Sequence, residues 1–247
     1  MKSYFVSFGA QTQDYHNAVR RICNQATKFG IFDKVIGFTE TDLQNDPEFW
    51  TKHSNFVLSN SRGYGYWLWK PYIIKQTLET MNDGDILLYA DSGCELNVNG
   101  KKKMLEFIEL TKTKHIIATT AVSKDTNYTK RDLTIYMQME NDIQMLEMRH
   151  VAATVIMLVK NEISTKLVNE WYSICSSNYH FIDDSPSIAN NFEGFIEHRH
   201  DQSVFSLLMK KANMLHYDLD PTYFSSEHDA NELPILAIRN RTGVSII

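Results

Sequence analysis

The sequence predicts an α/β fold with a mostly parallel central sheet and helices on both faces, and three observations predict it. Residues 4–38 read as strand, helix, strand; the run 85–90 is apolar after its first residue and bounded by turn residues; and strand and helix signals keep alternating past residue 150. A strand–helix–strand unit of that length favours a parallel pair joined by a right-handed crossover. The 247 residues fit one domain, and neither an internal repeat nor a second domain is visible.

Each element has a local reason. Tyr4 to Phe8 forms a short buried strand that ends at Gly9. Tyr15, Ala18, Val19, Ile22, Ala26 and Phe29 then recur at helical spacing until Gly30 stops the helix. Val35 to Phe38 is the second strand. Asp46-Pro47 is a cap followed by proline at the first helical position, ahead of Phe49, His53 and Phe56 or Val57 on one face. Lys70-Pro71 opens a further helix, with Ile73, Ile74, Thr77, Leu78 and Met81 running into the Asn82-Asp83-Gly84 turn. Asp85 to Ala90 suits a central strand covered on both faces. Strands follow at 115–121 and 151–159, then a helix over 162–176 with core positions Ile163, Leu167, Trp171 and Ile174. Segment 123–149 has weak periodicity and 176–200 is loop-like; long irregular segments of this kind are either lids and binding loops or poorly ordered chain.

Composition excludes several functions. The net charge of −5 offers no global field for nucleic acid. Lys101 to Lys103 precede Met104, Leu105, Phe107 and Ile108, as at a solvated helix start, so membrane association would be peripheral. Cys23, Cys94 and Cys175 are odd in number and widely spaced, without disulfide or zinc spacing. No stretch approaches the roughly 18 apolar residues of a membrane span, and no leader pattern is present. The expected compartment is therefore cytoplasmic. Gly63-Tyr64-Gly65 lacks the third glycine and the preceding strand of a phosphate loop.

Three blocks carry candidate chemistry. Asp91, followed by Ser92 and Gly93, stands at the carboxyl end of a central strand, where open α/β sheets bind ligands; its bland alternative is a turn aspartate. His198-Arg199-His200-Asp201-Gln202 precedes Val204, Phe205, Leu207 and Leu208 at helical spacing. It offers a metal ligand, a base or contacts to sugar hydroxyls, or else a helix cap with two surface histidines. In 61–71, Tyr64, Tyr66, Trp67 and Trp69 are interleaved with Arg62 and Lys70. Cations suit a diphosphate and flat rings suit a base or sugar, although core anchors would look the same.

Taken in order, Arg62 to Pro71, Asp83 to Glu95 and Phe195 to Ser203 resemble the GT-A nucleotide-diphospho-sugar glycosyltransferases of polysaccharide-building pathways. The resemblance implies a Rossmann-like GT-A fold, with a nucleotide-binding half of about 1–122 and an acceptor and catalytic half of about 123–247. It implies transfer of a sugar from a nucleotide-diphosphate donor, a UDP-sugar before others, to a glycan or other hydroxyl acceptor. Arg62, Trp67, Lys70, Asp91 and Ser92 would bind the donor. Asp201 and Gln202 would act on the transferred sugar, and His198 and His200 would contact sugar or acceptor.

One departure stands out: the second carboxylate of the family's Asp-x-Asp signature is Gly93 here. Two carboxylates help hold a divalent ion that offsets leaving-group charge. With Asp91 alone, either Glu95, Asp201 or a histidine completes a Mn²⁺ or Mg²⁺ site, or Arg62 and Lys70 neutralise the diphosphate without metal; the expectation leans to metal held by Asp91 and Glu95. His216 and His228 are further histidines of the right type. Retaining and inverting chemistry stay equally open, with Asp201 as base in the latter. Two other functions compete: a non-catalytic nucleotide- or carbohydrate-binding GT-A domain, and a metal-dependent hydrolase built on His198, His200 and Asp201.

Overall fold

The computed structural model describes residues 1–214 and 232–247. Its strands are β1 (Ser3–Phe8), β2 (Lys34–Phe38), β3 (Ile86–Ala90), β4 (Glu95–Leu96), β5 (Ile116–Lys124), β6 (Arg149–Val159) and β7 (Ile235–Leu236). Its helices are α1 (Gln13–Phe29), α2 (Glu40–Gln44), α3 (Pro47–Ser59), a one-turn α4 (Gly63–Tyr66), α5 (Trp69–Glu79), α6 (Lys101–Lys114), the short α7 (Asp125–Tyr128), α8 (Arg131–Tyr136) and α9 (Ile143–Leu146), then α10 (Glu162–Ser177) and α11 (Asp201–Lys211). The main sheet has the order β2-β1-β3-β6-β5, and β4 pairs with β7 in a small second sheet.

The α/β architecture with a mostly parallel sheet is as expected. β1, β2 and β3 pair in parallel, and β5 points the same way. β6 is the exception, antiparallel to both β3 and β5. Its apolar run reads the same in either direction, because a strand covered on both faces carries no directional signal. Direction is set by the connection: β5 returns into β6 through the short helices α7 to α9 instead of a crossover, and an antiparallel pair needs none.

β3 shows why the sheet is buried on both faces. Leu87 and Tyr89 join a core with α5, α10 and α11, while Ile86, Leu88 and Ala90 join one with α1 and α6. Along α10, Leu167, Val168, Trp171, Ile174 and Cys175 form the buried stripe. Ile163, expected in the core, is 43% exposed, since the stripe begins one residue later at Ser164. Segment 123–149, read from sequence as irregular, holds α7, α8 and α9. It is fastened by a buried cluster in which Lys210 and His150 both pair with Asp125. Burial alone would raise the Asp125 carboxyl, and its two basic partners bring it below the usual range. Among the described residues, no helix is long and apolar enough to cross a membrane.

Candidate active site

A cavity of about 460 Å³ opens at the carboxyl ends of β1 and β3. Phe8, Gly9, Ala10 and Gln11 form one side, and Asp91 to Cys94 the floor. Residues 62–70 and 199–202 close the opposite side. The three blocks singled out in the sequence, spread over residues 62–202, therefore meet in one space.

Lys70 is the hinge of this arrangement. Its side chain is 4% exposed, and Nζ lies 3.1 Å from Asp91 Oδ1 and 3.7 Å from Asp201 Oδ2. Nζ also donates to the Ala153 carbonyl at 3.0 Å. Burial alone would push the ammonium down, but Asp201 and Asp91 more than offset it, so Lys70 is held charged. Asp91 Oδ1 accepts in addition from the Tyr89 hydroxyl at 2.6 Å, and its backbone N–H donates to Thr154 at the start of the antiparallel contact.

Asp201 opens α11, with its backbone carbonyl accepting from Trp171 Nε1 at 2.8 Å. Its carboxyl lines the cavity although it is only 2% exposed, and Oδ2 takes no hydrogen bond. Burial pushes its pKa up to about 7; Lys70 works against that shift and the Asp91 charge adds to it. Gln202, beside it, accepts from the Ala153 N–H at 3.1 Å. Ala153 of β6 thus orients both Lys70 and Gln202 through its own carbonyl and N–H.

The aromatic block is built in an unusual way. Gly63, Tyr64, Gly65, Tyr66 and Trp67 all have positive φ, between 52° and 82°, so the chain makes one left-handed helical turn. It is closed by Tyr66 N–H to the Arg62 carbonyl and Trp67 N–H to the Gly63 carbonyl. L-residues resist this conformation by about 1–2 kcal/mol each, and the surroundings must over-determine it. They do: Trp69 Nε1 donates to the Gly63 carbonyl at 2.8 Å. Tyr66 lies flat against His200, ring planes 9° apart. A Cβ on Gly63 would come within 2.4 Å of the Trp67 ring, so only glycine lets that ring fold back over the turn. The glycines that failed as a phosphate loop serve here to bring Tyr64 and Trp67 to the cavity wall.

The remaining expected residues divide. Ser92 lines the cavity, and so does Arg62, whose guanidinium is paired with Asp184 at 3.0 Å and with Glu197 at 3.5 Å. His200 also lines it, with Nε2 3.0 Å from Asp184; burial pushes its pKa down to about 4, so the ring is neutral. His198 does not reach the cavity. Its Nδ1 accepts from the Lys130 N–H, its Nε2 faces the Phe181 carbonyl at 2.8 Å, and burial pushes its pKa down to about 3. It fastens the loop before α11, which corrects its expected role in sugar contact. The hydrolase reading loses one of its three ligands with it.

Glu95, expected beside Asp91 as a metal ligand, is fully buried and turned away. Its two oxygens accept from Asn240, Ser245, Ile246 N–H and Gln25, with Arg21 3.6 Å away. It anchors the segment after β7 to α1. That segment was not anticipated from sequence at all, yet its Ala237, Arg239 and Arg241 line the same cavity. The cavity therefore draws on both the 1–122 and the 123–247 portions of the chain.

No protein-family model and no curated protein matches the chain. Among solved structures, it is similar to a glycosyltransferase involved in the glycosylation of the major capsid of PBCV-1, with 11% identity over 71% of this chain and 66% of that one and a TM-score of 0.41. The chain thus spans just under two thirds of that protein. It is also similar to mouse xyloside xylosyltransferase 1 in its apo form, with 11% identity over 95% and 97% of the two chains and a TM-score of 0.46. At such identities and TM-scores neither likeness decides what the chain does.

The divalent ion that the sequence resemblance implies does not fit the residues present. The place between Asp91 and Asp201 is filled by the Lys70 ammonium. Glu95 is committed elsewhere, and no group of three His, Cys, Asp or Glu is arranged to hold a metal among the described residues. His216 and His228 lie outside the described residues.

Proposed function

We propose that the chain is a glycosyltransferase that moves a sugar from a nucleotide-diphosphate donor, a UDP-sugar before others, to a hydroxyl of a glycan or other acceptor. The observation that carries this reading is the ion-paired line Asp91–Lys70–Asp201 across one cavity at the sheet's carboxyl edge. It joins the three sequence blocks whose order resembles the GT-A transferases. A cavity of this size, with aromatic rings beside convergent charged groups, suits a small polar ligand.

In this reading the base lies toward Phe8, Tyr15 and Trp67, and the ribose and diphosphate lie over Asp91, Ser92 and Lys70. The transferred sugar reaches Gln202, His200 and Asp201. The acceptor oxygen attacks the anomeric carbon as the bond from that carbon to the diphosphate oxygen breaks. The acceptor's proton passes to Asp201, and the nucleoside diphosphate leaves with its charge held by basic side chains. A carboxyl on a cavity-lining residue whose pKa is pushed up to about 7 favours a base over a permanently ionised anchor. This favours the inverting course.

The test is turnover of a panel of UDP-, GDP- and TDP-sugars by the purified protein, followed by release of the nucleoside diphosphate. Asp91→Asn and Asp201→Asn are each expected to lower the rate about 10²- to 10⁴-fold while the protein melts cooperatively. Full activity in both variants would refute the assignment.

A further inference from the structure

The chain carries a net charge of −5, yet its cavity is lined by five basic side chains, Arg62, Lys70, Arg199, Arg239 and Arg241, against Asp91 and Asp201. Arg62 and Arg199 are engaged with acidic partners: Arg62 with Asp184 and Glu197, and Arg199 with Glu197 at 2.7 Å. Arg239 and Arg241 are in no ion pair with the described residues; Arg241 only lies over the Tyr15 ring at 5.3 Å. They are exposed side chains on the cavity wall.

Their position is tied to Gly93. A Cβ there would stand 3.3 Å from the Arg239 Cα, and the Asn240 N–H donates to the Gly93 carbonyl at 2.9 Å. The position that would bear a second carboxylate in an Asp-x-Asp signature is thus the seat of the segment that brings in the arginines. Arg239 itself is held at φ 57°, an uncommon conformation for a residue with a side chain. The segment is fixed from behind by Glu95 and by Arg21, which donates to the Asn240 and Thr242 carbonyls.

Charge balance gives the two arginines a role once Asp201 is ionised. With both carboxylates ionised, Lys70 leaves an excess negative charge facing the place where a diphosphate would lie. In a metal-dependent site a divalent ion reverses that sign. Two guanidiniums do the same, and their fork geometry matches phosphate oxygens.

We propose that the donor diphosphate is bound without a divalent ion, with Lys70 in the cation's place between Asp91 and Asp201 and with Arg239 and Arg241 closing on the phosphates from the C-terminal side. This rests on the transferase reading and adds to it the charge partner and two residues. Isothermal titration of the full chain with UDP, GDP and TDP, each in EDTA and in Mn²⁺, tests it, with UMP as the comparison ligand. The affinity for the preferred diphosphate should differ by less than about twofold between EDTA and Mn²⁺. Arg239→Ala and Arg241→Ala should each weaken it about tenfold and narrow the gap between UDP and UMP, with unchanged melting because both side chains are exposed. Binding that appears only with Mn²⁺, or arginine variants that bind the diphosphate as well as the parent, would overturn the inference and leave the transferase reading standing. No binding of any nucleoside diphosphate in either condition would overturn both.

Discussion

Lys70 and Asp201 face each other at 3.7 Å with 4% and 3% of their side chains exposed, and the carboxyl Oδ2 that points at the ammonium takes no hydrogen bond. The pair is close enough to interact, and both residues line the cavity.

The Asp201 carboxyl has a folded pKa of about 7, above the ordinary value of about 3.9 that it has in the unfolded chain. A raised carboxyl favours the folded state in its protonated form. Its stabilising contribution is therefore complete below about pH 4 and lost as pH rises through about 7. Urea titrations across that range should show Asp201→Asn closing the gap to, or overtaking, the parent at the alkaline end. The transfer rate should move the opposite way, rising through about pH 7 as the base form accumulates, and that rise should vanish in the variant.

Lys70→Met leaves Asp91 and Asp201 facing each other without a cation. Removing one member of a buried charge pair costs about 3–5 kcal/mol, so denaturation midpoints at neutral pH should fall sharply. Because Asp201 can take up a proton, the deficit should shrink below pH 7. A deficit independent of pH would mean that the two carboxylates do not interact through this position.

Gly63→Ala places a methyl where the Trp67 ring lies, at φ 59°. The conformational term alone is about 1–2 kcal/mol, and the ring must also move. A lowered melting temperature together with loss of UDP-induced tryptophan quenching is expected. Retained quenching would show that the left-handed turn does not form part of the nucleotide site.

Gly93→Asp would restore the signature's second carboxylate but must displace the Arg239 backbone. Overpacking of this kind costs about 1–3 kcal/mol. The variant should melt earlier and bind UDP more weakly, with no recovery on adding Mn²⁺, since Lys70 still occupies the cation position. Recovery with Mn²⁺ would show that the site accepts metal once a second carboxylate is supplied.

Much of the frame was readable from residues alone, because β1, α1, β3 and α10 announce themselves by periodicity and punctuation. Strand-end position pointed to Asp91, whereas its convergence with Asp201 was legible only through the resemblance of the three blocks to the GT-A transferases. The direction of β6 was not readable, as both faces of the strand are covered. The left-handed turn was hidden because only two of its five residues are glycine, and the tyrosines and tryptophan in it would be assigned to ordinary helix or core. Glu95 shows a different limit: a carboxylate four residues after Asp91 has the right type for a ligand, and only the docking of Asn240, Ser245 and Ile246 reveals an anchor. Arg239 and Arg241 carry no local signal, since what makes them cavity residues is a contact with a glycine far back in the chain.

That anchoring has a consequence for biosynthesis. Glu95 and Asn240 are 145 positions apart, so a chain still threading out of the ribosome would display Lys70 and Asp91 long before their enclosing wall exists. The cavity wall that carries Arg239 and Arg241 therefore rests on a contact of long sequence separation, the kind that is slow to form.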